Sequence, residues 1–437
     1  MIETISTSEK HQLAAKLKRI RERNILLDAD LMTRVAEILA EVRQRGDLAL
    51  IEYAEQFDSV VMTAADLRVR EEVLCETALK VDLPVLEALR EAIRRITRFH
   101  EHQSQESWEV NNGDGVVLGQ RVIPIESAGL YVPGGTAAYP SSVLMNVIPA
   151  QIAGVDRIIV ATPPNTIKQN PAVAAALVEL KVTEVYAVGG AQAIAALAYG
   201  TETIPRVDKI AGPGNRYVAA AKKQVFGVVG IDSIAGPSEV VIIADDSADP
   251  SFVASDMLAQ AEHSEDAAAI FLTDSRALVV EVIRELGLQL TQLPRSRTIE
   301  KSLEHYGAII IVEDLQEACA IVNEIAPEHV EILVQNEDEI SSRIRNAGAV
   351  FLGQHSPAVI GDYLAGPSHV LPTGGAARFS SALSVYDFVK RTSVVRYSQS
   401  ELQNTAQLIA VLASSERLDA HAKSVLRRLE GNECLDR

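Results

Sequence analysis

The chain has 437 residues and a mass of 47.2 kDa, which is enough for two or three domains. Its 47% hydrophobic and 23% charged residues exclude disorder for the bulk of the chain. With 41 Lys and Arg against 59 Asp and Glu, the formal net charge is −18, which disfavours general binding to nucleic acid.

The cysteines and the apolar segments indicate the compartment. Cys75, Cys319 and Cys434 are far apart and show no CxxC spacing, which argues against a disulfide framework and against a thiolate metal site. The first residues are polar and contain no secretory apolar region, and no apolar run approaches the length of a membrane span. We therefore expect a cytoplasmic protein that does not enter a membrane.

The first third of the chain predicts helices. Residues 1–27 predict a charged helical arm with few core positions. Apolar residues from Leu31 to Val42 recur at helical spacing, with Asp28 or Asp30 as the cap and Gly46 as the stop. Two more helices are expected up to about Arg98, and 116–124 alternates in the manner of a strand.

The rest of the chain alternates short apolar strands with alanine-rich helices. This pattern predicts parallel sheets covered on both faces, arranged as two α/β units instead of one barrel. After about Val385 the tail is expected to be helical, at 400–412 and 417–429. The predicted strands are 157–161, 184–188, 209–211, 239–244, 268–273, 308–312, 330–334 and 349–352.

Three glycine-rich turns, at 129–135, 188–192 and 211–215, are candidates for phosphate contacts. The last two each follow a predicted strand and precede a predicted helix, where backbone N–H groups can point at an anion. None matches the GxGxxG or P-loop pattern. A tight turn with no ligand explains any one of them, whereas three together favour a nucleotide site.

Four segments carry side chains suited to metal binding or acid–base chemistry. Gln260 and His263 are three apart on a helix that Asp249 can cap with Pro250 at its first position, although an exposed helix often carries such residues. Glu328 and His329 lie on a loop between a helix and a strand, which suits a general base or a plain surface turn.

The other two of these four segments lie later in the chain. The turn-rich stretch 361–375 contains Asp362 and His369, and loops of this kind are often functional. His421 lies five residues after Glu416 on a predicted C-terminal helix and by itself indicates only a solvated residue. The other histidines are interpreted as surface residues: His11, His100, His102, His305 and His355.

Taken together, these segments resemble the histidinol dehydrogenase family. The similarity runs in unbroken order from about residue 30 to about residue 425. Two positions depart from the family pattern, because Ser368 stands where many relatives have Asn and Arg417 replaces a usual glycine. The shared motifs occupy 129–135, 139–146, 188–192, 212–215, 235–239, 260–263, 327–329 and 361–373.

The resemblance implies an α/β fold of two incomplete Rossmann-like domains, one inserted into the other, with N- and C-terminal helical arms. Residues 1–27 would be the N-terminal arm, and 28–130 with 238–385 the main domain with the metal and substrate site. Residues 131–237 would be the inserted domain with the NAD contacts, and 386–437 a C-terminal arm that crosses to the partner of a homodimer.

The resemblance also implies the chemistry. The family oxidises L-histidinol through L-histidinal to L-histidine, the last step of histidine biosynthesis, with two hydride transfers to NAD and one Zn²⁺ per subunit. Glu328 and His329 correspond to its acid–base pair, and Tyr131, Gln192 and Asn215 to its NAD contacts. The implied zinc ligands are Gln260, His263, Asp362 and His421, and the substrate contacts are these four with Ser238, His329, His369 and Glu416.

Three other functions are compatible with the same residues. A relative within the family could oxidise another small alcohol with the same zinc and NAD. A zinc hydrolase could use Glu328 and a metal-bound water without NAD. A non-catalytic paralogue could keep only a binding role, but it would have no reason to retain costly buried polar groups.

Overall fold

The computed structural model describes residues 2–23, 29–113, 115–134 and 139–430. Its strands are β1 (Glu3–Ser6), β2 (Trp108–Asn111), β3 (Val116–Pro124), β4 (Ser127–Tyr131), β5 (Arg157–Thr162), β6 (Glu184–Ala187), β7 (Lys209–Ala211), β8 (Gly230–Ile231), β9 (Glu239–Ala244), β10 (Ala268–Thr273), β11 (Ala308–Ile311), β12 (His329–Leu333), β13 (Ala349–Leu352) and β14 (Val389–Tyr397).

The helices alternate with the strands over most of the chain. They are α1 (Lys10–Glu22), α2 (Ala29–Arg45), α3 (Asp47–Asp58), α4 (Ala64–Leu67), α5 (Glu71–Ala78), α6 (Leu83–Glu101), α7 (Pro140–Ala153), α8 (Thr166–Gln169), α9 (Pro171–Glu179), α10 (Gly190–Tyr199), α11 (Arg216–Val225), α12 (Pro250–Ala261), α13 (Arg276–Leu290), α14 (Ser296–His305), α15 (Leu315–Ile325), α16 (Glu337–Ser341), α17 (Val359–Tyr363), α18 (Gln399–Ser415) and α19 (Asp419–Leu426).

The contacts divide the chain into two compact units. The first unit comprises 1–103 and 125–388, and it contains two parallel sheets. Sheet A has the strand order β1-β11-β10-β9-β12-β13, and sheet B has the order β6-β5-β4-β7-β8. The strands of sheet B all lie between β1 and β9 along the chain, so the segment that forms sheet B interrupts the segment that forms sheet A.

Continuous apolar strands explain why both sheets are covered on two faces. In β9 and β10 every residue is buried, as expected for central strands of a parallel sheet. Sheet A packs one face on α1 and α15 and the other on α12, α13 and α14. Sheet B packs against α2, α3, α10 and α11 on one side and against α6, α7 and α9 on the other. The predicted α/β class with two parallel-sheet units is thus confirmed.

The second unit comprises 104–124 and 389–437. Its strands form an antiparallel sheet in the order β14-β3-β2, in which Val389 pairs with Pro124 and Tyr397 with Val116. Helices α18 and α19 follow β14. The only buried apolar cluster that its described residues form consists of three alanines, Ala410, Ala413 and Ala422.

The predicted elements match the structure best where the strands are apolar. The eight strands predicted after residue 150 each occur within one residue of the expected ends, and 116–124 is strand β3. Gly46 ends α2 with φ 53° as predicted, whereas Asp30 lies inside the first turn of that helix. The other proposed cap, Asp28, lies outside the described residues. The domain boundaries drawn from the family resemblance stay a prediction.

Three elements differ from the prediction because their stability comes from distant partners. Strand β1 precedes the helix of the N-terminal arm and pairs with β11. Four helices, α3 to α6, occupy the region where two were expected. The tail begins with strand β14, whose mostly exposed side chains give no apolar run and which is held by pairing with β3. Within the described residues, no helix has the length and hydropathy needed to cross a membrane.

Candidate active site

The acid–base residues lie together at the amino end of strand β12 of sheet A. Helix α15 ends because Ala326 adopts a left-handed conformation (φ 52°) and Pro327 follows it. The chain then enters β12, so that Glu328 lies directly before the strand and His329 is its first residue. Both side chains are buried. His329 is therefore part of the strand, and only Glu328 belongs to the predicted loop.

One residue of the adjacent strand positions both side chains through its backbone. The Glu239 N–H donates to Glu328 Oε2 at 3.1 Å, and His329 Nδ1 lies 3.2 Å from the Glu239 carbonyl oxygen. Because a carbonyl only accepts, His329 Nδ1 must carry the proton, and Nε2 is left as the free basic nitrogen. Ser238 adds a side-chain hydrogen bond to Glu328. The Glu328 Oε2 to His329 Nδ1 distance is 3.7 Å.

Burial favours the uncharged forms of Glu328 and His329. Burial raises the pKa of Glu328 to about 7, against the opposing hydrogen bonds from the Glu239 backbone and the Ser238 side chain. Burial lowers the pKa of His329, and the Asp362 carboxylate partly opposes this shift. A carboxyl that titrates near neutrality beside an unprotonated imidazole can exchange protons with a bound substrate.

His263, Asp362 and His369 interact electrostatically with this pair, and Gln260 lies three residues before His263. Gln260 is buried near the end of α12, which Asp249 caps through Ser251 N as predicted. The helix ends at Ala261, so His263 lies just beyond it, with its N–H 3.3 Å from the Gln260 carbonyl. Asp362 is on α17, and His369 is in the loop that follows.

The charges of this group act on one another. Burial is the first cause of each shift: it lowers the pKa of His369 to about 4, lowers that of His263 and raises that of Asp362. The Glu328 charge raises the pKa of His263, and Asp362 and His329 shift each other. These interactions link five of the sequence-predicted residues: His263, Glu328, His329, Asp362 and His369.

The structure contains the donors for a metal but not a complete ligand set in one place. Among the described residues no three His, Cys, Asp or Glu side chains form a group that could hold an ion. The buried Gln260 amide keeps one terminal atom, Nε2, without a hydrogen-bond partner. Oxygen and imidazole donors without a thiolate would suit zinc that must also accept a substrate. Gln260, His263 and Asp362 thus fit part of a zinc site that needs a further ligand.

The remaining two residues predicted to bind metal or substrate are in the second unit. Glu416 is the C-terminal cap of α18, and His421 is in α19, so they lie on separate helices and not on one. Both are exposed. Arg417 between the helices has φ 60°, a conformation that favours glycine.

The glycine-rich turns lie at the carboxyl ends of sheet B strands, where open α/β sheets bind ligands. Tyr131 ends β4 and is buried, and its hydroxyl accepts a hydrogen bond from Gly190 N at 3.0 Å. Burial raises the pKa of this phenol to about 12. Gln192 is buried in the first turn of α10, and Asn215 caps α11 by accepting from Tyr217 N and Val218 N. Gly135, the last residue of the first turn, lies outside the described residues.

Several buried residues that support Glu239 and the turn at Gly212 were not predicted from the sequence. Arg23, at the end of α1, is buried and pairs with Glu239 at 2.6 Å. Lys222 and Asp232 form a buried ion pair beside Gly212. Arg23 stands among other arginines of a polar helix, and no local pattern distinguishes it. His100, expected at the surface, is fully buried and bonded to Gln103 at 2.8 Å, because α6 packs this face against sheet B.

Comparisons with known proteins identify the family of this chain. The family model described as histidinol dehydrogenase matches residues 21–429. A histidinol dehydrogenase of Geobacillus kaustophilus is 53% identical over 91% of this chain and 94% of its own length. One from Bacillus subtilis is 50% identical over 90% of this chain and 92% of its own length.

A solved structure extends the comparison to the fold. The crystal structure of histidinol dehydrogenase from Elizabethkingia anophelis has a TM-score of 0.91 and 36% identity, over 98% of each chain. Sequence and fold lead to one conclusion: the chain belongs to the histidinol dehydrogenase family.

Proposed function

We propose that this protein oxidises L-histidinol to L-histidine in two NAD-dependent steps through bound L-histidinal, as the last step of histidine biosynthesis. The observation that carries the proposal is the arrangement at Glu239, whose backbone holds the Glu328 carboxyl and the His329 imidazole side by side. Such a pair can serve two successive proton transfers at one substrate carbon. Membership of an oxidoreductase family supports the same reaction.

His329 is the base of the alcohol oxidation. Its Nδ1 proton is engaged by the Glu239 carbonyl, so Nε2 can accept the hydroxyl proton of histidinol as hydride leaves the same carbon. The lowered pKa of this buried imidazole keeps it unprotonated at neutral pH. NAD, when bound, supplies the hydride acceptor, with Tyr131, Gln192 and Asn215 as its contacts.

Glu328 serves the second oxidation. A carboxylate can take a proton from the water that adds to the aldehyde carbon, and a pKa of about 7 lets Glu328 accept that proton and release it again. The hydrogen bonds from Glu239 N and from Ser238 keep the Glu328 carboxyl in place during both transfers. Ser238 and His369 are proposed substrate contacts, and the buried His369 Nε2 has no hydrogen-bond partner within the part of the chain that the structure describes.

Gln260, His263, Asp362 and His421 are the proposed zinc ligands. When bound, a zinc ion would fix the amine and imidazole of the substrate without redox chemistry. The unpartnered Gln260 amide supports this assignment, and the absence of a complete group among the described residues of one chain is consistent with a ligand from another subunit. We therefore propose a homodimer in which His421 and Glu416 complete the partner's site.

The second unit supports this assembly. Large apolar side chains of α18 are exposed, among them Leu408 (67%) and Leu412 (66%), while the buried cluster of that unit is three alanines. An apolar helix face with so small a core requires a covering surface. The proposed location is the cytoplasm, and Cys75 and Cys319 are both free thiols, as a reducing compartment would require.

A stoichiometric turnover tests the function. Zinc-loaded protein receives limiting L-histidinol and excess NAD+, and NADH and histidine are counted at completion. Two NADH per histidine are expected. One NADH with released aldehyde would show that only the first step operates and would contradict the role of Glu328. No NADH from zinc-loaded protein would favour a relative that oxidises another small alcohol, or a hydrolase that needs no NAD.

A further inference from the structure

Behind the acid–base pair, the structure brings together two carboxyl groups that the proposed chemistry does not use. Glu331 is two residues after His329 on β12, and its side chain points to the same face of the sheet because strand side chains alternate. That face packs on α12. Asp256 lies one turn before Gln260 on α12 and is hydrogen-bonded to Glu331.

The bonding of Glu331 is incomplete unless a proton is present. Glu331 is 1% exposed, and its Oε1 accepts a hydrogen bond from Ala358 N at 2.5 Å. Its other oxygen, Oε2, is buried and has no donor among the described residues. Glu331 is hydrogen-bonded to the Asp256 carboxyl, and two ionised carboxyls are both acceptors. A hydrogen bond between them requires one of the two to be protonated.

Burial favours the same state. It raises the pKa of Asp256 to about 6, and it raises the pKa of Glu331 well above its ordinary value, with the Asp256 charge adding to the effect. On sheet A the flanking partners of Glu331 are Ile242 and Phe351, which offer neither charge nor donor. A cation could also bridge two carboxyls, but no group of three metal-binding side chains exists among the described residues.

We propose that Asp256 and Glu331 share one proton and act as positioning residues for the active site. Their hydrogen bond joins α12, which leads to Gln260 and His263, to β12, which begins with His329. Through Ala358, the cap of α17, it also reaches the short helix that carries Asp362. One buried contact thus sets the relative positions of three elements that carry site residues. The positioning role rests on the proposed function, whereas the shared proton does not.

The shared proton has a measurable consequence for stability. Model carboxyls lose their protons near pH 4, so above about pH 5 the folded protein holds one proton that the unfolded chain has lost. Folding is then favoured less as the pH rises, and the unfolding constant increases about tenfold per pH unit until the pair itself is ionised. Other groups contribute their own slopes, but these are common to wild type and variant. The carboxyl and imidazole groups on the surrounding β9, β12, α13 and α17 are Glu239, His329, Glu281, Glu285 and Asp362, and His263 follows the end of α12.

The decisive variant is Glu331→Gln in the full-length protein with its zinc content measured. Its amide can accept from Ala358 N and donate to an ionised Asp256, which keeps the contact and the single negative charge without a labile proton. Above pH 5, the unfolding constant should rise about tenfold less per pH unit than in wild type. Asp256→Asn should flatten the dependence equally. Glu304→Gln, the same change at an exposed site on α14, should follow wild type.

The positioning role has a separate readout in metal retention. Glu331→Ala removes the contact and should weaken zinc retention about 10–100-fold in competition with a chelator, the usual effect of a residue behind the ligands. Glu331→Gln should stay close to wild type, which amounts to rescue by the conservative change. If Glu331→Ala does not fold, Asp256→Asn and Glu331→Gln still decide the proton.

Three results would overturn the proposal or one of its parts. A wild-type pH slope in both amide variants would show that no proton is shared, and so would a second metal ion in wild type that is lost from both. Equal zinc retention in Glu331→Ala and wild type would disprove the positioning role. Unfolding is measured without histidinol or NAD+, so failure of the proposed oxidation would leave the proton result intact.

Discussion

At His329, one hydrogen bond decides which ring nitrogen is available for chemistry. The Glu239 carbonyl accepts from Nδ1, so the base is Nε2, and the same residue's N–H holds Glu328. The proposed roles of His329 and Glu328 can therefore be tested separately by single substitutions. A side chain that mimics one nitrogen of the ring without its basicity tests the base alone.

His329→Gln should lower turnover roughly 10²–10⁴-fold, the usual contribution of a general base. The glutamine amide can still donate to the Glu239 carbonyl, but it has no basic nitrogen. Zinc content, measured by metal analysis, should remain near wild type because His329 is not a proposed ligand. Loss of zinc in this variant would show that His329 is a ligand and not the base.

At Arg417 the backbone has a conformation that is unfavourable for a residue with a side chain. It follows the cap of α18 with φ 60°, while Leu418 N donates to the Ala413 carbonyl at 2.8 Å in the pattern that commonly ends a helix with glycine. A left-handed conformation costs an ordinary L-residue about 1–2 kcal/mol. The position therefore stores strain that glycine would not.

Arg417→Gly should raise the free energy of unfolding of the second unit by about 0.5–1 kcal/mol, since relief of strain is partly offset by the greater freedom of unfolded glycine. Denaturant unfolding followed by a probe on α18 measures the change. Arg417→Ala is the matched control, because it removes the charge but keeps the Cβ. Equal gains from alanine and glycine would attribute the effect to charge.

At the scale of elements, the turns of the site depend on side chains from other segments. Gly212 follows β7 with φ 118°, and a Cβ there would collide with the Tyr131 carbonyl oxygen. Asp232 accepts from Gly212 N at 2.8 Å, and Lys222 of α11 donates to Gly212 O at 3.1 Å while pairing with Asp232. Both polar groups of this glycine are thereby fixed by one buried ion pair.

Lys222→Met should destabilise the protein by about 3–5 kcal/mol, because it leaves the Asp232 carboxylate buried without a countercharge. Denaturant unfolding measures this loss. Lys222→Met with Asp232→Leu should recover most of the stability but still bind NADH more weakly, since Gly212 N then lacks its acceptor. Wild-type NADH affinity in the double variant, followed by fluorescence, would disconnect the ion pair from the cofactor turn.

At the scale of the whole molecule, the described residues of the second unit form only a small apolar core. Its strands and helices expose large apolar side chains such as Val395 and Leu412 around a cluster of three alanines. Burial against a partner subunit would remove that surface from water. The proposed crossing of the C-terminal arm would cover this apolar surface, and it would also bring His421 to the partner's metal site.

Two inactive chains should complement each other if the arm crosses. A His421→Asn chain paired with a His329→Gln chain leaves one of the two sites intact, so a purified heterodimer should recover about half of the wild-type activity. Each variant alone should be nearly inactive, and His421→Asn should also lose zinc. A verified heterodimer without activity would show that each arm serves its own chain.

The sequence alone was sufficient for the α/β class, for the apolar strands and for the residue types of the site. Continuous apolar runs fold as buried parallel strands in almost any context, which explains why 239–244 and 268–273 match the structure. Motifs such as 327–329 and 260–263 were identified by family resemblance, and their partial convergence agrees with the roles it implies.

Only the tertiary structure decided what distant segments do to one another. Strands β1 and β14 exist because β11 and β3 pair with them, and His100 is buried because a helix face packs over it. Arg23, Lys222 and the Asp256–Glu331 pair have no local pattern, since their contacts join segments far apart in the chain. Local sequence encodes propensity and chemistry, whereas burial and pKa depend on neighbours that only the folded chain supplies.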